Sequence, residues 1–161
     1  MNISELIYKQ ADLFPNKTAI MMPHKLGRKY EYTSLSFTEF KTRSIQYSLG
    51  FKRNGIKKGM KVLMFVKPSL DFPIITFSLF KIGAIPIFID PGMGRKNIFK
   101  AIEHMQPDAM VSIPKVHLLS KVFKSVFKNI KYKFTTGNST SSALSIIPWR
   151  TINVPEVNKE V

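Results

Sequence analysis

An α/β fold, with a mostly parallel sheet flanked by helices and a short N-terminal hairpin, is predicted by three observations. Val62-Leu63-Met64-Phe65-Val66, Ile85 to Ile89 and Ala109 to Ile113 are short apolar runs without polar alternation, the pattern of strands covered on both faces. Helical periodicity fills the stretches between them, and strand–helix–strand units of that length require parallel pairing. The segment Leu79 to Pro91 shows such a junction in full: the end of a buried helix, a tight turn at Gly83, a buried strand and an abrupt Asp90-Pro91 exit.

The elements follow in order. Ile3, Leu6, Ile7, Ala11 and Phe14 recur at helical spacing, with Asn2 or Ser4 as cap and Pro15 as stop. Thr18 to Met22 and Tyr30 to Thr33 read as paired strands around a polar Pro23-to-Arg28 turn. Phe40, Ser44, Tyr47, Ser48 and Phe51 share a helical face, and Gly55 stands where that helix should end. After the strand at residues 62–66, Ser69 is a candidate cap for a helix to about Lys81, with Pro73 tolerable in its first turn. Next come the strand at residues 85–89 and a helix from Arg95 to Met105 burying Ile98, Ile102 and Met105. After the strand at residues 109–113, a helix from Pro114 to Phe127 buries Leu119, Val122, Phe123, Val126 and Phe127. It sets Lys121, Lys124 and Lys128 toward water. Ile130 to Thr135 is a fourth strand, and beyond Gly137 a polar loop, Asn138 to Ser142, leads to strand-like fragments from Pro148. The chain therefore reads as one incomplete α/β domain over 1–161. Residues 1–58 hold the helix, hairpin and helix, residues 59–136 the βαβ-repeating parallel sheet, and residues 137–161 a loop and truncated end.

Composition limits the chemistry. With 161 residues and 44% apolar content the chain can build one core. It has no cysteine, which removes disulfides, thiolate nucleophiles and cysteine-bound zinc, and fits an intracellular, cytoplasmic setting. The N-terminus lacks a signal-peptide pattern. The net charge of +15 comes from 25 basic and 10 acidic residues, but the lysines are spread along the chain without an arginine cluster. Such spread charge implies a solvated surface, and nucleic-acid binding is not expected. Pro73 to Ile89 is apolar, but two prolines, Gly83 and Lys81 interrupt it, so a buried helix and strand are expected there rather than a transmembrane segment.

Several stretches resemble one family. Leu35-Ser36-Phe37-Thr38-Glu39-Phe40 is similar to a Thr-Tyr-x-Glu-Leu helix start. Gly55-Ile56-Lys57-Lys58-Gly59-Met60-Lys61-Val62 is similar to a Gly-Val-x-x-Gly-Asp-x-Val strand entry. Leu79 to Pro91 resembles a Leu-Lys-x-Gly-Ala run leading to a Pro-x-x-x-Asp-Pro exit, and Pro15 to Ile20 resembles a Pro-x-x-x-Ala entry. In this order they resemble the N-terminal portion of the adenylate-forming (AMP-binding) superfamily, which includes acyl-CoA synthetases, luciferases and peptide-synthetase adenylation domains. The resemblance covers residues 1 to about 115. Met60 departs from the usual aspartate and Phe37 from tyrosine. Asp90-Pro91-Gly92-Met93-Gly94-Arg95 resembles the fatty-acid-CoA-ligase-like branch that includes olefin β-lactone synthetases.

The resemblance implies ATP and magnesium as the cofactors of the full-length family, and a fatty acid plus CoA or another acceptor as its substrates. It also implies a glycine-rich phosphate loop ending Pro-Lys-Gly, a magnesium-binding glutamate, a ribose-binding aspartate and a C-terminal lysine, and none of these motifs occurs in this chain. Thr135-Thr136-Gly137-Asn138-Ser139-Thr140 is the nearest imitation of the loop, with a single glycine and no following Pro-Lys, and reads as a linker.

The remaining candidates are weaker. Gly92-Met93-Gly94-Arg95-Lys96-Asn97 lies between strand and helix, where Arg95 and Lys96 could hold an anion, yet a plain strand-to-helix turn is the simpler reading. His24, His104 and His117 lack metal spacing, His104 fits a favourable helix-end contact, and Ser112 has no evident base. The lysine-striped helix after Pro114 could lie on anionic lipid, although its apolar face is more simply turned to the sheet. No residue is therefore assigned a catalytic, cofactor-binding or metal-ligating role, and no cofactor is expected on this chain alone. The expected function is that of an N-terminal fragment of an AMP-forming acyl-CoA ligase, inactive by itself, with a second polypeptide as candidate partner. The alternative is a non-catalytic basic α/β module that binds nucleotide, nucleic acid or a partner protein.

Overall fold

The computed structural model describes residues 2–136 and the backbone of residues 150–151. The expected loop at 138–142, most of the Thr135-to-Thr140 run and nearly all of the expected end at 137–161 lie outside the described residues.

Helix α1 (Ile3–Leu13) leads to the antiparallel hairpin β1 (Thr18–Leu26) and β2 (Lys29–Ser36), then to α2 (Phe37–Arg53). The hairpin strands are longer than their apolar cores predict, and Gly27-Arg28 makes the turn. Asn2 caps α1 by accepting the Ser4 amide at 3.0 Å. Ser36 and Glu39 form a reciprocal capping box at the start of α2, which gives the first family landmark a physical role. Helix α1 is rotated from its expected phase. Ser4, Tyr8 and Ala11 are buried, while Ile3, Leu6 and Phe14 are exposed. The small Ser4 and Ala11 side chains admit close packing on α2 and α3, and a hydrogen bond between Tyr8 and Ser44 at 3.1 Å sets the phase.

A five-stranded parallel sheet follows, built from β3 (Lys61–Phe65), β4 (Ile85–Phe88), β5 (Ala109–Ser112), β6 (Tyr132–Thr135) and β7 (Arg150–Thr151), in the order β4-β3-β5-β6-β7. Between the strands run α3 (Asp71–Ile82), a short 3-10 turn at Pro91–Met93, α4 (Arg95–Met105) and α5 (Pro114–Val122). Alternate residues of the central strands face opposite layers. Val62, Met64, Ala109 and Val111 pack with Phe51 of α2 and Ile75 and Leu79 of α3. Leu63 and Met110 pack with Ile102 of α4 and with Phe127 and Ile130. Burial on both sides accounts for the absence of polar alternation in β3 and β5.

Four further expectations are corrected. Strand β4 is an edge strand among the described residues, not a fully buried one, with Ile85 48% and Phe88 51% exposed. Ser69 does not cap α3; its carbonyl accepts the Phe72 amide at 3.2 Å and Leu70 takes the cap position. Helix α5 ends at Val122 rather than Phe127, and Val122 is 69% exposed while Phe127 is buried from the turn that follows. Of the three residues expected to be buried on α4 only Ile102 is, with Ile98 half-buried and Met105 at the surface.

The second and third family landmarks meet at the amino end of the sheet. Gly59, at φ +81°, donates its amide to the carbonyl of Gly83, itself left-handed at φ +79°, at 2.8 Å. One residue further on, the Ile85 amide reaches the Met60 carbonyl at 2.8 Å. Asp108 continues this seam, accepting the Lys61 amide on its carboxylate at 2.9 Å. These motifs join strand entries to one another, so they are scaffold.

Candidate functional site

The carboxyl ends of the strands hold the candidate site. The chain passes from β3 to β4 on one side and then returns to place β5 on the other, so the crossover direction switches between β3 and β5. Open parallel sheets leave a crevice outside the strand ends at such a point. Here it is a cavity of about 940 Å³. Its floor is Phe65, Val66 and Lys67 beyond β3, Ile89 to Pro91 beyond β4, and Ile113 beyond β5. Phe72 and Phe88 close one side in a tilted contact, 5.5 Å between centroids, and Ile98, Phe99, Val116 and Leu119 wall the other. Among the described residues, Lys67, Asp90 and Arg95 are the charged side chains in the lining. The shape and chemistry suit an apolar ligand with one polar end.

Of the residues singled out from the sequence, Arg95 reaches this cavity and Lys96 does not line it. The Arg95 guanidinium lies 5.8 Å from the centre of the Phe123 ring, a cation–π contact. The Gly92–Gly94 turn makes a poor phosphate cradle. The Gly92 amide already donates to the Asp90 carboxylate at 2.8 Å, and that carboxylate would repel a phosphate. Nor do the described residues hold any group of three or more His, Asp or Glu side chains able to bind a metal. The described residues thus do not fit the ATP and magnesium that the resemblance implies, and no chemical step is derived through those groups.

The three histidines remain apart. His24 is exposed on the hairpin, its Nε2 3.7 Å from Glu31, and His104 sits in the last turn of α4. His117 is fully buried under α5, where Nε2 donates to the Phe134 carbonyl of β6 at 2.9 Å. Burial holds its imidazole below the ordinary value, partly offset by that hydrogen bond and reinforced by the positive charge of Lys133. Lys133 Nζ donates to Ser120 Oγ at 3.0 Å, and Ser120 donates to the His117 carbonyl at 2.8 Å. Burial likewise lowers the pKa of Lys133, with Lys121 adding repulsion. The Ser112 and Thr135 hydroxyls, paired in register on β5 and β6, are buried without a hydrogen-bond partner among the described residues. This polar cluster clamps α5 onto β6. Periodicity could not reveal it, because it places polar residues where a sheet-facing helix should be apolar.

Comparison with known proteins fits this architecture. Residues 7–146 match the model of the family described as AMP-binding enzyme. The olefin β-lactone synthetase of Stenotrophomonas maltophilia is 30% identical over 128 residues, 76% of this chain and 23% of that protein. The olefin β-lactone synthetase of Xanthomonas campestris pv. campestris is 31% identical over 127 residues, with the same coverage. The chain thus spans about a quarter of the length of the curated relatives it matches. Among solved structures, a long-chain-fatty-acid-CoA ligase from Archaeoglobus fulgidus superposes with a TM-score of 0.71 at 23% identity, covering 91% of this chain and 29% of that one. An anthranilate CoA ligase in complex with anthranoyl-AMP gives 0.75 at 14% identity, covering 95% and 27%. These structural likenesses establish the fold. Landmarks, sheet and family match agree, and the chain belongs to the AMP-binding enzyme family.

Proposed function

We propose that this chain is the N-terminal part of an AMP-forming, fatty-acid-CoA-ligase-like enzyme and is inactive by itself. In the whole enzyme a carboxylate would attack the α-phosphate of ATP, forming an acyl-adenylate and releasing pyrophosphate. The acyl group would then pass to a thiol or an internal hydroxyl with loss of AMP. The observation that carries this reading is the family match across residues 7–146, joined to the curated relatives. In this reading the amino end of the sheet is scaffold, and the cavity at the carboxyl ends receives the apolar part of the acid, with Lys67 and Arg95 toward its charged end. The phosphate loop and the magnesium, ribose and catalytic-lysine groups come from residues outside this chain, on a continuation of the gene or on a second cytoplasmic polypeptide.

The coding region that follows codon 161 tests the proposal. The reading expects a frame there, or a neighbouring gene, that encodes a Thr-Ser-Gly-Thr-Thr-Gly-x-Pro-Lys loop and the remaining length of the family. A genomic neighbourhood that encodes nothing of the kind would remove it.

A further inference from the structure

The fold gathers charge that looks evenly spread in the sequence. Lys96 and Lys100 of α4, Lys115 and Lys121 of α5, and Lys124 and Lys128 in the turn after α5 are all exposed. They belong to the helical layer that covers one face of the sheet. Between residues 95 and 131 the acidic side chains are Glu103 and Asp108, and the Asp108 carboxylate is engaged by the Lys61 amide at 2.9 Å.

Helix α5 also departs from an ordinary sheet-covering helix. It buries the polar His117 and Ser120 beside the half-buried Val116 and Leu119, and turns Leu118 and Val122, 53% and 69% exposed, to the outside. Those two lie one helical turn apart on the stripe that also carries Lys115, so apolar side chains are flanked by ammonium groups.

We propose that the α4–α5 face docks on an anionic lipid bilayer. The six lysines face the headgroup phosphates, and Leu118 and Val122 enter the boundary with the acyl chains. Charge complementarity selects this occupant: the chain carries +15 overall, and this face has almost no negative charge to oppose it. The same residues argue against nucleic acid. The layer has a single arginine, Arg95, which lines the cavity, and its aromatic side chains Phe99, Phe123 and Phe127 are buried or half-buried, unavailable for stacking on bases. The same two helices supply Ile98, Phe99, Val116 and Leu119 to the wall of the apolar cavity.

Flotation of the whole chain with vesicles tests the proposal, using two parts phosphatidylcholine to one part phosphatidylglycerol against phosphatidylcholine alone. Binding is expected only to the anionic vesicles, and to fall about tenfold or more in Lys115→Glu/Lys121→Glu/Lys124→Glu. Leu118→Ser/Val122→Ser should weaken it about fivefold even at low salt. Lys9→Glu/Lys25→Glu/Lys52→Glu, an equal charge change elsewhere, should leave it within about twofold. Because the chain has no cysteine, an environment-sensitive label on Leu118→Cys gives a second readout, and its emission should shift on anionic vesicles while a label on Lys25→Cys does not. No flotation at low salt, or loss that follows net charge whichever lysines are changed, overturns the proposal. So does an unshifted Leu118→Cys label, or tighter binding to single-stranded DNA than to the vesicles with no effect of Leu118→Ser/Val122→Ser.

Discussion

Gly55→Ala probes the junction that the second family landmark builds. Gly55 follows α2 at φ +96°, and a Cβ placed on it would lie 2.7 Å from Cε1 and 3.1 Å from Cζ of Tyr132, at the start of β6. Two costs follow. Holding an L-residue in the left-handed region costs about 1–2 kcal/mol, and forcing the Tyr132 ring aside adds about 1–3 kcal/mol of overpacking. The sum, about 2–5 kcal/mol, is a large fraction of a domain's total stability. The two costs separate in a double-mutant cycle. Tyr132→Ala alone loses half-buried aromatic packing, but in Gly55→Ala/Tyr132→Ala the new methyl meets no ring and only the backbone cost remains. The cycle should therefore show a favourable coupling of about 1–3 kcal/mol. Urea unfolding followed by circular dichroism, with unchanged m-values, measures all three variants. A Gly55→Ala cost below about 1 kcal/mol, or strictly additive single costs, would refute the close approach and its backbone geometry.

Two further predictions concern α5. His117 is held neutral by burial, so its folded pKa lies below the ordinary 6.5 and the unfolded chain binds the extra proton first. Its contribution is therefore fully present above pH 6.5 and is lost as pH falls below that value toward the folded pKa; melting temperatures across this range should fall, and His117→Asn should flatten that slope. Val122→Ala should change stability by no more than about 0.5 kcal/mol, whereas Phe127→Ala should cost about 3–5 kcal/mol. Comparable costs at the two positions would mean that the helix does continue to Phe127 with both side chains inward.

The parts of the fold legible in the sequence are those with local causes. Strands β3 and β5 declare themselves because both faces are covered, Gly83 because the chain turns left-handed there, and the start of α2 because Ser36 and Glu39 cap each other. The edge position of β4 among the described residues also has a sequence cause: Pro86 lacks the amide an interior strand needs, and prolines within sheets are confined to edges. The early end of α5 also has a sequence cause, since Val122, Phe123, Ser125, Val126 and Phe127 are all weaker helix formers than leucine or lysine. The phase of α1 depends on Ser44, far along the chain. The cavity depends on residues from β3 through the turn after α5, and the charge of the α4–α5 layer on which helices share a sheet face. No local pattern encodes these, because they exist only once the crossovers are made.

This chain is proposed to carry the scaffold of an AMP-binding enzyme without its chemical groups. ATP–pyrophosphate exchange by the purified chain, supplied with magnesium and a panel of fatty acids, tests that most directly. No exchange above a protein-free control is expected for any acid. Acid-dependent exchange by the chain alone would contradict the proposal and would require a phosphate-binding site among its own residues.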